Sequence, residues 1–258
     1  MAVGYGPAEL VTPVVDALRA AELPRIADIL RVENGRYWSY VCNEACCPAA
    51  GIPFDTAAST GLGSTPLADR AELAASVAPV SGITSESMRQ ATRQAEQHTA
   101  QLLAKSADRS AARHRIAAEG LAEVGAMIAR YQDGGGFTTD DEIARITVAL
   151  RDLRVRDDAW ARMDPAFKAQ DVKLWTDVTR RAQPRYVAAP ASLLAFVAWQ
   201  SGDGALANVA LDRALADDPR YSMALLLRQV MSAGAPPSMA RLPMTPEEVA
   251  ASYDEEES

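Results

Sequence analysis

PASLLAFVAWQSGDGALANVALDRALADDPRYSMALLLRQVMSAG, residues Pro190–Gly234, decides how the chain is read. Ser201-Gly202-Asp203-Gly204 separates two apolar, alanine-rich runs, Ala191–Gln200 and Ala205–Ala216, each long enough for about three turns of helix. Asp218-Pro219 closes the second run and opens a third, in which Met223, Leu226, Leu227 and Val230 recur at helical intervals. Small residues such as Ala207 and Ala214 let neighbouring helices approach closely. The stretch is therefore expected to stack as one compact unit, with Leu193, Val197, Leu211 and Leu215 inside.

Upstream the same helical grammar continues. Thr139-Asp140-Asp141-Glu142 is a capping box after the Gly134-Gly135-Gly136 stop, and Ile143, Ile146, Leu150 and Leu153 form the stripe that follows. A segment around Trp160 leads to a helix over Pro165–Ala182 carrying Phe167, Leu174, Trp175 and Val178. Ser85–Tyr131 has no proline and is rich in helix formers, but large apolar groups are scarce over Ala104–Arg113, which marks a break or a solvated span. A short helix fits residues 68–78, and the Gly- and Pro-punctuated residues 48–69 read as a linking loop.

The front of the chain differs. Ala2–Tyr5 reads as a strand, Pro7–Ala21 as a helix with an apolar stripe of Leu10, Val14, Val15 and Leu18, and the run carrying Ile26, Ile29, Leu30 and Val32 as a second strand. Asn34-Gly35 then signals a hairpin into Arg36-Tyr37-Trp38-Ser39-Tyr40-Val41. The expected fold class is α+β, mainly α. A partial α/β front end (β-α-β-β, residues 1–66) precedes a helical domain (67–235) and a Pro-rich acidic tail (236–258) that is expected to be disordered.

Composition narrows the function classes. Three lysines, Lys105, Lys168 and Lys173, stand among 26 basic residues, a skew towards arginine that fits a GC-rich genome. The net charge is −8, much of it from Glu247, Glu248, Asp254, Glu255, Glu256 and Glu257, so the chain lacks the concentrated positive field that general nucleic-acid binding needs. The longest apolar stretch, Ala188–Trp199, is too short to span a bilayer, and no secretory signal opens the sequence. Three clustered cysteines cannot frame a disulfide scaffold, and their odd count fits a reducing, cytoplasmic setting.

Two resemblances follow from particular residues. Gly202-Asp203, Ala207, Ala214-Leu215 and Asp218-Pro219 stand where a tetratricopeptide repeat places its turn, its small packing residues and its terminal Asp-Pro. The other Asp-Pro pair, Asp164-Pro165, is not one repeat length away, so a single unit is expected and no array. Taken with Gly35-Arg36-Tyr37-Trp38-Ser39-Tyr40, Cys42, Cys46-Cys47-Pro48, Gly51, Ala189-Pro190, Trp199 and Asp217-Asp218-Pro219, the sequence resembles the actinobacterial domain of unknown function 4192 family. That resemblance implies no activity. It also implies a further α/β segment ahead of Met1, so the front sheet is expected to have an open edge. Residues 1–45 are then expected to pair with another chain or to be poorly ordered.

Residues of chemical interest fall in two groups. Cys42, Cys46 and Cys47 could be unreactive thiols, a zinc site completed by Glu44 or a distant ligand, or redox-active thiols. No other cofactor is implied. Beside them, alternation sends Arg36, Trp38 and Tyr40 to one side of a strand and Tyr37 and Ser39 to the other, a ligand face or simply sheet core. Gly4-x-Gly6 could cradle a phosphate at a helix N-terminus, but Glu9 stands where a dinucleotide fingerprint needs its third glycine, and an ordinary βα turn explains both glycines. Asp140, Asp141, Glu142, Asp157 and Asp158 are candidate acids, and Arg154, Arg156, Arg180 and Arg181 candidate anion clamps, although caps and surface ion pairs explain them as well. His98 and His114 fall on a polar helix and are expected in solvent. The expected function is a protein-interaction or regulatory module without its own catalysis, working through a protein partner or self-association at the sheet edge. The alternative is a metal- or thiol-dependent enzyme centred on residues 36–51.

Overall fold

The computed structural model describes residues 2–5, 7–20, 29–40, 48–53, 69–136, 138–237 and 244–256. The chain divides into two compact units, Met1–Pro66 and Leu67–Ser258. It is an α+β protein, mainly α.

The first unit contains β1 (Ala2–Tyr5), α1 (Ala8–Ala20), β2 (Ile29–Glu33), β3 (Arg36–Ser39) and β4 (Ile52–Pro53), with its strands in the order β1-β2-β3-β4. β1 runs parallel to β2, Val3 opposite Leu30, with α1 as the crossover helix. β2 and β3 are antiparallel around Asn34 (φ 49°) and Gly35 (φ 73°), the two left-handed residues that a tight hairpin turn requires. The buried face of α1 is Val11 with the expected Val15, which meet Ile29 and Tyr40, whereas Leu10 and Val14, also expected inside, are 70% and 58% exposed. Residues 10/14 and 11/15 are equally good helical pairs, so periodicity alone does not choose between them. β4 falls in the segment expected to be loop; two residues long and ending on a proline, it leaves almost no strand signature.

The second unit contains α2 (Arg70–Ser76), α3 (Gly82–Lys105), α4 (Arg109–Gln132), α5 (Asp140–Ala149), α6 (Leu153–Ala161), a 3-10 turn (Pro165–Phe167), α7 (Lys168–Arg181), α8 (Ala188–Gln200), α9 (Gly204–Asp217), α10 (Ser222–Ser232) and α11 (Pro246–Glu256). Aspartates begin many of these helices. The carboxylates of Asp69, Asp108, Asp152, Asp164 and Asp203 each accept a backbone N–H from the first turn, and Thr139 with Glu142 forms the expected capping box. The break between α3 and α4 falls at Ser106-Ala107-Asp108, inside the apolar-poor span. Leu153, expected in the α5 stripe, instead starts α6 behind the Asp152 cap and is 51% exposed.

α8 is buried on all sides from Ala188 to Trp199. It packs most extensively on α9 and then on α7, and Ala191, Ala195 and Ala198 of α8 and Ala207, Ala210 and Ala214 of α9 are fully buried. Leu193, Val197 and Leu211 are inside as expected, with Leu215 half-buried. Trp160 of α6 meets Phe196 edge-on, with ring centroids 5.2 Å apart. α10 turns Met223 and Leu227 inward and leaves Leu226 53% exposed, against expectation. A helix with no solvated face still has N–H groups to satisfy at its start. Here the Asp217 carboxylate at the end of α9 accepts from Arg185 N (2.7 Å), Val187 N (2.9 Å) and Ala188 N (3.0 Å).

The expectation of a disordered tail is corrected over residues 246–256. Thr245 and Glu248 form a second capping box, Glu248 Oε2 accepting from Thr245 N (2.7 Å) and Thr245 Oγ1 from Glu248 N (3.3 Å), with Pro246 at the first helical position. Val249 is buried, and one turn later the Tyr253 hydroxyl donates to Asp157 Oδ2 on α6 (2.7 Å). Two such anchors dock a helix that its charge alone would leave in solvent.

Asp217→Ala removes an ionised acceptor shared by three backbone N–H groups, so it is expected to cost about 2 kcal/mol in urea unfolding. A second expectation concerns Asp171 on α7, which is 1% exposed, accepts one long bond from Gln132 Nε2 (3.4 Å) and has no partner for Oδ2 among the described residues. Burial raises its pKa to about 6, above the ordinary value of 3.8. The folded state thus holds this proton more tightly than the unfolded chain, and stability rises as pH falls from 7 through 6 towards 4. Glu142 acts in the opposite sense but later: Arg130 and the Thr139 N–H hold its pKa down at about 2, so its contribution is lost only as pH falls below about 4.5. Unfolding curves at pH 7 and pH 5 should show the gain in the wild type and a flattened response in Asp171→Asn.

Candidate functional site

The residues of the β2–β3 hairpin are held by their own unit. Register places Arg31 opposite Trp38 and Glu33 opposite Arg36 on one face. The Arg31 guanidinium lies 3.7 Å from the Trp38 ring centroid and pairs with Glu33. Trp38 Nε1 donates to Ala49 O (3.1 Å), and Arg36 Nη1 to Gly51 O (2.9 Å) and Ala50 O (3.3 Å). Trp38 covers Gly51 so closely that a Cβ there would sit 2.5 Å from the indole, and Gly51 has φ +75°. Tyr40 belongs to the Val11–Val15–Ile29 cluster, its hydroxyl 3.3 Å from Thr12 Oγ1, while Tyr37 pairs with Val32 on the opposite face. Arg36 and Trp38 thus fasten the 49–51 turn to the sheet. Cys42, Cys46 and Cys47 lie outside the described residues.

Arg180 and Arg181 belong to the second unit. Arg181, with its side chain 11% exposed, donates to Asp177 Oδ1 (3.1 Å), Thr138 O (3.0 Å) and Asp140 Oδ1 (3.2 Å). Tyr131 adds its hydroxyl to Asp177 Oδ2 (2.9 Å). This network pins the start of α5 onto α7. Arg180 is exposed, and its carbonyl receives Val80 N (2.9 Å). Of the candidate acids, Glu142 pairs with Arg130 (2.8 Å), Asp157 with Arg156 (2.6 Å) and Asp158 with Arg162 (2.6 Å). Ion pairs and caps therefore account for these groups.

A large concavity forms elsewhere, where α3 and α4 run antiparallel on either side of their break. It is a cleft of about 860 Å³ that also reaches the end of α5, the start of α6, residues 185–186 and Tyr253 of α11. Leu102, Leu103, Ile116, Val148 and Val155 give it an apolar lining, and both histidines of the chain border it. Around them, His98 Nε2 lies 3.4 Å from Glu119 Oε2, Arg115 Nε donates to Glu119 Oε1 (3.0 Å), Arg145 Nε donates to Glu123 Oε1 (2.7 Å), and the Tyr186 hydroxyl donates to Glu96. Burial, reinforced by Glu96, pushes the Tyr186 phenol above its ordinary pKa, so it stays a neutral donor. A second cavity of about 340 Å³ shares Arg151, Arg185 and Tyr186 with the first. Gly120 lets α4 reach the α5–α6 corner: a Cβ there would fall 2.9 Å from Ala149 Cβ.

Sequence reading missed this cleft because its residues are scattered from 95 to 253. One signal was present. If two helices fold back at Ala107, positions about equally far from it face each other, which brings His98 towards the first half of α4, where Glu119 is found.

Among the described residues no three His, Cys, Asp or Glu side chains are grouped to hold a metal ion, and no helix is long and apolar enough to cross a membrane. Fold and cleft define a mainly helical α+β protein with a concave, arginine-rimmed cleft in its larger unit. The chain belongs to the DUF4192 family, described as a domain of unknown function, whose model matches residues 1–238. No curated protein and no solved structure matches it.

Because the Trp38 indole occupies the space over Gly51, Gly51→Ala should displace that ring as well as strain a left-handed backbone. Amide exchange over residues 29–40 is expected to quicken by an order of magnitude or more, corresponding to roughly 1–3 kcal/mol of local destabilisation.

Proposed function

We propose that this chain is a cytoplasmic interaction or regulatory module without catalytic chemistry of its own, and that the α3–α4 cleft is its recognition site. The observation that carries this reading is the cleft itself. Its volume lies within the range of about 300–1,000 Å³ common to ligand sites, and it joins an apolar lining to polar groups at the rim. The lining residues include no serine, cysteine or lysine, and the one threonine, Thr99, donates its hydroxyl back to Ala95 O (3.1 Å). No serine, cysteine or lysine nucleophile is therefore set against a base in the lining.

Further surfaces suit contacts with a protein partner. The α8–α9 hairpin, with its alanine-lined interface and Asp203 cap, supports the tetratricopeptide-like reading of a single unit, and α10 beside it presents Leu225 and Leu226 outward. β1 sits at the edge of the strand order, where self-association by strand addition would occur. An actinobacterial origin agrees with the arginine-rich composition. The metal- or thiol-dependent alternative at residues 36–51 draws no support from Arg36 and Trp38, whose polar atoms bond to loop carbonyls.

Thr99→Trp, on the inward wall of α3, fills the cleft without touching the core. In a thermal-shift screen of small molecules and peptides, hits should raise the Tm of the wild type and leave Thr99→Trp unmoved, its ligand-free Tm being unchanged. Hits that shift both proteins equally, or substrate turnover abolished by His98→Ala, would overturn the proposal.

A further inference from the structure

Resting on that reading of the cleft, we infer that its ligand is a small phosphate monoester with an apolar body, its phosphate held by Arg151 and Arg185 where the two cavities meet. The argument begins with the carboxylates. Six line the two cavities: Glu96, Glu119, Glu123, Asp152, Asp217 and Asp218. Each is already engaged: Glu96 by Tyr186, Glu119 by Arg115 and His98, and Glu123 by Arg145. Asp152 accepts Arg154 N (2.9 Å), Asp218 accepts Arg220 N (2.9 Å), and Asp217 caps the start of α8. Among the described residues, none of these carboxylates forms an ion pair with Arg151 or Arg185, both of which are exposed and line both cavities.

Tyr186 lines both cavities with the two arginines, its ring centroid 5.8 Å from the Arg151 guanidinium carbon. Arginine offers a planar fork of donors that matches phosphate oxygens two at a time, and two forks suit a dianion better than a lone carboxylate. The backbone of Arg185 adds an independent sign. Its φ is +77°, a left-handed conformation in a side-chain-bearing residue that is neither glycine nor asparagine, and the Asp217 carboxylate holds its N–H there. Glycine would take that conformation at lower cost, so an arginine in that conformation fits a role for its side chain. The larger cavity that this pair lines also has an apolar lining, which sets the rest of the ligand: a compact aliphatic or aromatic body.

The test uses the full chain with inorganic phosphate, phenyl phosphate and benzoate as probes, titrated by calorimetry at constant ionic strength. Phenyl phosphate should bind at least tenfold more tightly than phosphate, and benzoate more weakly than either. Arg151→Ala and Arg185→Gly should each weaken phenyl phosphate at least tenfold, and the glycine variant should unfold at an equal or higher Tm because its backbone strain is relieved. That combination cannot come from a variant that merely fails to fold. Unchanged affinity in both variants, or benzoate binding as tightly as phenyl phosphate, overturns the inference. Screening hits that Thr99→Trp abolishes but both arginine variants retain would also overturn it while leaving the cleft as the recognition site. Hits indifferent to Thr99→Trp would remove the cleft reading itself.

Discussion

A helix with no face for water organises the larger unit. From Ala188 to Trp199 every residue of α8 is buried, so the chain must supply neighbours on all sides. α7 and α9 flank it, α10 packs against it, and Trp160 of α6 reaches Phe196. Large side chains such as Leu193, Leu194, Phe196 and Val197 each contribute roughly 1.5–3 kcal/mol by leaving water. The alanines between them set how closely the neighbours can come. The polar obligation of this helix is met from outside, by Asp217, which ties the first turn of α8 to the last residue of α9. The same apolar run that was too short to cross a membrane is thus the centre of a helical stack.

Much of this could be read from punctuation and period. Ser201–Gly204, the Thr139 box and the break near Ala107 each carry a local physical cause, and the helices begin and end there. What could not be read was the choice between equivalent periodic answers. In α1, Leu10/Val14 and Val11/Val15 have the same spacing, and only the position of Ile29 in space selects the second pair. α11 shows a different failure. Its capping box and its Val249/Tyr253 pair were legible, but the acidic composition of the tail outweighed them, although two docked side chains and a capped start suffice to order a short helix against an existing surface.

The site was less legible than the fold, for a reason visible in the hairpin. Arg36 and Trp38 are chemically versatile residues in an unusual local sequence, and they drew attention for that. In space they hold the carbonyls of residues 49–51, and Gly51 is the glycine that lets the indole lie flat on the turn. Arg181 is similar, a conspicuous cation whose donors all go to Thr138, Asp140 and Asp177. The cleft, by contrast, is assembled from ordinary residues at helical intervals on separate elements. No segment of sequence carries its signature, and the facing of His98 and Glu119 becomes visible only once the α3–α4 turn is fixed.

Asp217 connects the two levels. One carboxylate oxygen accepts the N–H groups that start α8, and the other holds Arg185 N, fixing a left-handed residue at the mouth of both cavities. The geometry of the rim is therefore a consequence of how the core helix is capped: a change that loosened the cap would release the rim arginine too. The family match extends through residue 238 and so covers α8, α9 and Asp217, but it stops short of α11, whose Tyr253 completes one wall of the cleft. The capped helix and its strained arginine thus lie within the matched range, whereas Tyr253 lies outside it and is tied to the cleft's unit by its bond to Asp157.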